Sequence, residues 1–353
     1  MNYEKLLNRT VQEIPPSGIR KFFDIVSTMK DAISLGVGEP DFVTPWNICE
    51  SAIYSIEQGR THYSSNWGDL NLRREISDYL HARCGIDYNP NNEIIVTVGA
   101  SEGIDLALRT MLEPGDEVLI PDPSYVSYAP GVRFSHGVCV PVPTRAENGF
   151  RITAQDVKAH ITPKTKAIIL PYPNNPTGAV MPESELRALA DVLRESGVLV
   201  ISDEIYAELT YAGTHHSIAA IEGMRDNTIV LNGFSKAFAM TGWRMGWACA
   251  PKDIMESMFK IHQYTMLCAP TAGQYAALEA LRSNAASGYA DVQKMVRAYD
   301  RRRRFLVKAL GEIGLSCFEP LGAFYAFPSI AGTGLSSDAF CEALLYDQKV
   351  AAV

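Results

Sequence analysis

The chain has 353 residues, 47% of them hydrophobic and 20% charged, a make-up suited to a globular protein with a sizeable core. A formal net charge of −8 argues against a nucleic-acid binder, which would show a basic excess. The seven cysteines (Cys49, Cys84, Cys139, Cys249, Cys268, Cys317 and Cys341) are an odd, scattered set without a CxxC pair, so they read as reduced thiols and not as a disulfide frame or zinc site.

The N-terminal stretch MNYEKLLNRTVQEIPPSGIRKFF is charged throughout and lacks the apolar core of a signal peptide. No segment approaches a membrane span, and the expectation is a cytoplasmic protein without membrane or nucleic-acid contact. Further on, short apolar, β-branched runs recur at 93–98 (EIIVTV), 117–121 (EVLIP), 167–171 (AIILP), 198–202 (VLVIS), 228–232 (TIVLN) and 246–250 (GWACA). Helix-like stretches such as 101–112 and 183–197 separate several of them. Consecutive apolar positions predict strands buried on both faces, and their alternation with helices predicts a mostly parallel α/β sheet. Ligands of such sheets sit beyond the carboxyl ends of the strands, so the residues after each strand carry the functional information.

After 93–98 comes GASEG, where Gly99 allows a tight turn and Ser101 is expected to cap a helix. A helix N-terminus offers free amides and a positive dipole end, a natural phosphate seat. After 117–121 comes DPSYVSY with Tyr125, a residue that alone reads equally well as packing. After 167–171 comes YPNNPTG, whose prolines and glycine fix a turn and hold Asn175. After 198–202 comes DEIYAEL, with Asp203 ending a buried strand and Tyr206 three residues on. A carboxylate there is costly without a cationic partner. After 228–232 comes NGFSKAFAMTGWRMGW, which sets Lys236 among small and apolar residues with Arg244 eight positions later. A second cation and poor solvation both depress an amine's pKa, and such a lysine suits Schiff-base formation with an aldehyde. The same stretch alone also fits a surface loop whose lysine points into water. The basic run from Arg297 to Phe305 carries Asp300 and reads as a solvated helix face.

Taken together, one sheet edge would collect an amine, a carboxylate, a phenol, an amide, an arginine and a phosphate-binding helix end. Pyridoxal 5'-phosphate needs that set: an amine for its aldehyde, a carboxylate for its pyridinium nitrogen, and donors for its phenolate and phosphate. On this reading Lys236 holds the cofactor and Arg244 its phosphate.

The segment GFSKAFAMTGWRMG (233–246) closely resembles the cofactor-attachment segment of class I/II aminotransferases, the fold-type I, aspartate-aminotransferase-like family. The resemblance runs along almost the whole chain, through LGVGEPDF (35–42), HYSSNWGDLNLRREI (62–76), VTVGASEGI (96–104), PNNPTG (173–178), DEIYAEL (203–209) and GAFYAF (322–327). Seven ordered motifs are far more specific than any one of them.

The resemblance implies roles. Lys236 would bind the cofactor's aldehyde and move the proton between the substrate's α-carbon and the cofactor. Asp203 would keep the pyridine nitrogen protonated, and Tyr206 with Asn175 would bond the phenolic oxygen. Tyr125 would stack on the ring, and Ala100 and Ser101 would bind the phosphate with Arg244. Gly38 and Asn175 would contact the substrate, and no metal is implied. Tyr63 lies where the family reaches across a dimer interface to the partner's phosphate, which implies a homodimer sharing its active site.

The implied architecture is an α/β large domain at 46–285, with a mostly parallel seven-stranded sheet flanked by helices. Residues 1–45 as an arm and 286–353 would build a smaller α/β domain. Two departures stand out. Gly233 occupies a position where the family often has a phosphate-binding serine. The family also continues past YDQKVAAV through a strand and helix bearing the arginine that clamps the substrate's α-carboxylate. No residue here inherits that role, so the expectation is an incomplete small domain that captures the cofactor but transaminates poorly. The implied activity is amino-group exchange between a small amino acid and a 2-oxo acid by a ping-pong cycle. The alternatives are a lyase or synthase of the same fold and a non-catalytic cofactor-binding regulatory domain.

Overall fold

The computed structural model describes residues 1, 3–16, 18, 29, 31–36 and 38–353. Part of the N-terminal arm expected over 1–45, including 19–28 and Val37 of the LGVGEPDF motif, therefore lies outside the described residues. The strands in chain order are β1 (Ile33–Ser34), β2 (Ile94–Val98), β3 (Glu117–Asp122), β4 (Val138–Pro143), β5 (Thr165–Leu170), β6 (Leu199–Asp203), β7 (Thr228–Gly233), β8 (Met245–Cys249) and β9 (Val350–Ala351).

Seven of them form one sheet in the order β2-β8-β7-β6-β5-β3-β4, all parallel except β8. Six match the apolar runs of the sequence. The seventh, β4, was carried by no such run: its sequence VCVPVP holds two prolines, and it lies at the sheet's edge, where missing amides are tolerated. A small parallel pair, β1 with β9, joins Ile33 to Val350 and Ser34 to Ala351.

Alternate residues of the central strands face opposite layers. Ile94, Val96, Val230 and Trp247 pack with Leu72, Ile76 and Leu80 of the helix Leu70–Cys84. Ile95, Ile229 and Leu231 pack with Leu106 and Leu108 of the helix Gly99–Met111 and with Met255 and Met258 of Lys252–Thr265. Ile168 and Val200 meet Leu186, Leu189 and Leu193 of the helix Glu183–Ser196. Fully burying one such side chain contributes about 1.5–3 kcal/mol, so the strand ends that carry the site are firmly held.

The basic run lies on the helix Ala290–Glu312. Arg301, Arg302 and Arg304 are exposed there, as a solvated face requires. Arg302 also pairs with Asp41 at 2.8 Å, and Arg303 with Glu319 at 2.6 Å, so the run fastens two distant segments to the helix.

Candidate active site

The antiparallel run of β8 decides which residues meet. Its first residue, Met245, registers with Val98 at the end of β2, and Gly246 registers with Gly233 at the end of β7. Arg244, just before β8, is thereby delivered to the carboxyl edge formed by its parallel neighbours. Lys236 reaches the same edge three residues after β7 ends. Its ammonium donates to the carbonyl of Gly38 at 2.5 Å and lies 5.6 Å from the Tyr206 ring centroid. Burial pulls its pKa down to about 8; Arg244 pushes the same way, and Glu39 and Asp203 oppose. The anticipated depression is present, with desolvation as its main cause and the second cation as a lesser one.

The phosphate seat is built by backbone. Gly99 opens the helix Gly99–Met111 with φ +71°, and a Cβ on it would stand 2.6 Å from Nη2 of Arg244. A Cβ on Gly246 would stand 2.5 Å from the Gly99 carbonyl carbon and 2.6 Å from the Ala100 nitrogen. The turn and β8 thus touch backbone to backbone. We expect Gly246→Ala to push the turn outward and to weaken binding of inorganic phosphate and of cofactor at least tenfold, measured by titration of the cofactor-free protein. Unchanged affinity would mean that this contact does not shape the seat.

Ser101 does not cap this helix. Val98 takes the N-cap position with no side-chain cap, and Glu102 reaches back from the first turn: its carboxylate accepts from the Val98 amide at 2.5 Å, and His262 donates to its other oxygen at 2.6 Å. The helix begins three residues earlier than a Ser101 cap would place it. Ser101 therefore falls within the first turn with an exposed side chain, and its amide belongs to the free donors of that turn.

Asp203 ends β6, is buried, and has no ion-pair partner among the described residues. Its carboxylate accepts from two neutral donors, the Tyr128 hydroxyl at 2.8 Å and the Ile205 amide at 3.2 Å. Burial raises its pKa against both hydrogen bonds. Tyr125 meets Tyr128 edge to face, ring centroids 5.4 Å apart. The loop that follows β6 is held from behind by its two glutamates. Buried Glu204 accepts from Ser202, Ser217 and His215 at 2.9, 2.6 and 2.9 Å, and Glu208 accepts from Tyr79 and, bidentately, from Arg83.

Tyr206 and Asn175 converge on a residue to which the sequence reading gave no role. The hydroxyls of Tyr206 and Tyr325 are 2.5 Å apart, and the Asn175 amide donates to Tyr325 at 3.2 Å. Gly38 lies beside them, since a Cβ there would stand 2.6 Å from the Tyr325 hydroxyl. The structure thus gathers Gly38, Tyr125, Asn175, Asp203, Tyr206 and Lys236 at one edge, with Gly99, Ala100, Ser101 and Arg244 beside them. Tyr63 stands apart, 82% exposed on a groove shared with Arg60, His62 and Gln274. Tyr128 had a signal, as an aromatic three residues from Tyr125; Tyr325 sat unassigned in GAFYAF.

Among the described residues, Lys236, Asp203 and Arg244 form no ion pair. A buried anion, a desolvated amine and a guanidinium at a helix end are three charges awaiting a ligand. A cationic ring nitrogen, an aldehyde and a phosphate on one molecule complement all three, so the residues present fit pyridoxal phosphate.

Residues 30–353 match the family described as aminotransferase class I and II. The chain is 47% identical to an aspartate aminotransferase of Pyrococcus abyssi, over 96% of this chain and 87% of that one. It is 44% identical to aromatic-amino-acid aminotransferase 2 of Thermococcus litoralis, over 98% and 89%. The solved structure of Thermus thermophilus aspartate aminotransferase with maleate superposes with a TM-score of 0.94 at 38% identity, covering 98% of this chain and 90% of that one. With this edge geometry and these relatives, the chain belongs to the class I and II aminotransferases, enzymes that transfer amino groups with pyridoxal phosphate.

Proposed function

We propose that this aminotransferase exchanges an amino group between a small amino acid and a 2-oxo acid in two half-reactions, with Lys236 as the acting base. The observation that carries the reading is the convergence of three unpaired charges, Lys236, Asp203 and Arg244, at the carboxyl edge of one sheet. When bound, pyridoxal phosphate supplies an aldehyde that condenses with amines and a protonated ring that accepts the electron pair left at the α-carbon. Lys236 would hold that aldehyde, and its free amine would carry the proton to and from the substrate's α-carbon. Asp203 keeps the ring nitrogen protonated. Tyr206 and Asn175 donate to the phenolic oxygen, and Tyr125 covers the ring. Arg244 and the amides of Ala100 and Ser101 hold the phosphate, where a charge-assisted hydrogen bond is worth about 1.5–3 kcal/mol. Gly38 and Asn175 border the substrate's carboxylate.

Tyr63 acts across the interface of a homodimer in this reading. Its exposure supports contact with a second copy. The large domain spans 46–285, and 286–353 with the arm builds the smaller one. The relatives named for aspartate and for aromatic amino acids support an amino-acid donor and a 2-oxo-acid acceptor.

Initial rates with both substrates varied test the proposal. Parallel double-reciprocal lines are expected, together with complete conversion of the cofactor's absorbance by an amino acid alone. Intersecting lines, or no conversion without the oxo acid, would contradict it.

A further inference from the structure

We propose that Tyr325 is a positioning residue of the amino-transfer site, the junction that aims the Tyr206 hydroxyl and the Asn175 amide at a common point. The inference rests on the reading that those two groups hold the cofactor's phenolic oxygen. Its observations are separate from that reading and concern one short segment, residues 321–325.

This segment is stitched to both loops that carry the two donors. The amides of Leu321 and Gly322 each donate to the Gly178 carbonyl at 2.9 Å, which ties the segment to the turn bearing Asn175. The Tyr211 amide donates to Leu321 and the Ala323 amide to Leu209, both at 2.8 Å, and the Tyr211 hydroxyl donates to the Ala323 carbonyl. Those bonds tie the segment to the loop bearing Tyr206. At its end the Tyr325 hydroxyl repeats the same bridge with side chains, touching Tyr206 and Asn175 at once. Gly38 closes the remaining side, because no Cβ fits between it and the hydroxyl.

Either hydroxyl can be the donor of the Tyr206–Tyr325 pair. Asn175 donates to the Tyr325 oxygen; when an outside acceptor takes the Tyr206 proton, the Tyr325 proton can turn to the Tyr206 oxygen. A hydroxyl that itself accepts a hydrogen bond is a stronger donor. Tyr325 therefore strengthens and orients Tyr206 without touching the reacting atoms.

The test is the pH midpoint of the visible absorbance of bound pyridoxal phosphate, read in the native full-length chain. Donation to the phenolic oxygen favours its anionic form and lowers that midpoint, so loss of donation raises it. Tyr325→Phe is expected to raise the midpoint by about 0.4–1 pH unit, the equivalent of one ordinary hydrogen bond. Tyr206→Phe should raise it further, and the double variant should exceed Tyr206→Phe by less than the shift that Tyr325→Phe causes alone. A midpoint unchanged in Tyr325→Phe but raised in Tyr206→Phe overturns the inference and leaves the reading of Tyr206 standing. No change in either variant sinks both, and independent, additive shifts also overturn the inference. Should Tyr325→Phe fail to fold, Gly38→Ala displaces the same hydroxyl, and it must raise the midpoint for the inference to stand.

Discussion

Replacing Lys236 with alanine is expected to lower steady-state turnover by several powers of ten while the fold survives. One amine serves as both the cofactor's anchor and the base at the α-carbon, so both functions vanish in one step. The structure adds a pH dependence. An ordinary lysine is neutral in about one molecule in three thousand at pH 7, whereas a pKa of about 8 makes it roughly one in ten. Only the neutral amine attacks an aldehyde. The rate of cofactor attachment to the wild-type, cofactor-free protein should therefore rise nearly tenfold per unit below pH 8 and level off above it. Stopped-flow absorbance would record this; a rate still climbing steeply at pH 9 would mean that burial does not tune the amine. Cofactor affinity in Lys236→Ala should persist through Arg244 and the helix end.

Asp203→Asn should separate stability from activity. The carboxylate is buried without a cation, and burial raises its pKa. For such a group the folded state binds the proton more tightly than the unfolded one. Its contribution is therefore favourable at low pH and is lost as pH rises from the unfolded value through the raised folded one. Burial disfavours the charged form of this carboxyl, and the amide carries no charge to be disfavoured. The cofactor-free variant is expected to melt at the same temperature or higher. Turnover should nevertheless fall, because a buried pair broken from one side costs about 3–5 kcal/mol, or roughly two to four powers of ten in rate. Calorimetry of the cofactor-free proteins beside initial rates checks both halves. Near-normal turnover with cofactor bound would remove Asp203 from its assigned role, and a markedly lower melting temperature would mean that burial does not disfavour its charged form.

The fold was largely legible because its central strands are short apolar runs, and both faces of β7 and β8 are in fact covered. β4 escaped because Pro141 and Pro143 break the pattern that an interior strand would show. The site residues stood out because each follows a strand. What could not be read were partnerships across the chain. Tyr128 lies 75 residues from Asp203, and Tyr325 lies 119 from Tyr206, so no local spacing announces either bond. The Ser101 cap failed for a local reason: the chain already turns helical at Gly99, which leaves Ser101 inside the first turn and not ahead of it.

The central claim is that Lys236 is the residue to which pyridoxal phosphate is attached. Borohydride reduction of the cofactor-loaded protein fixes that link, and digestion followed by mass mapping locates it. The expected result is one modified peptide, with the added mass on Lys236 and on no other lysine. Added mass on a different lysine, or none at all under conditions where the cofactor is bound, would contradict the account.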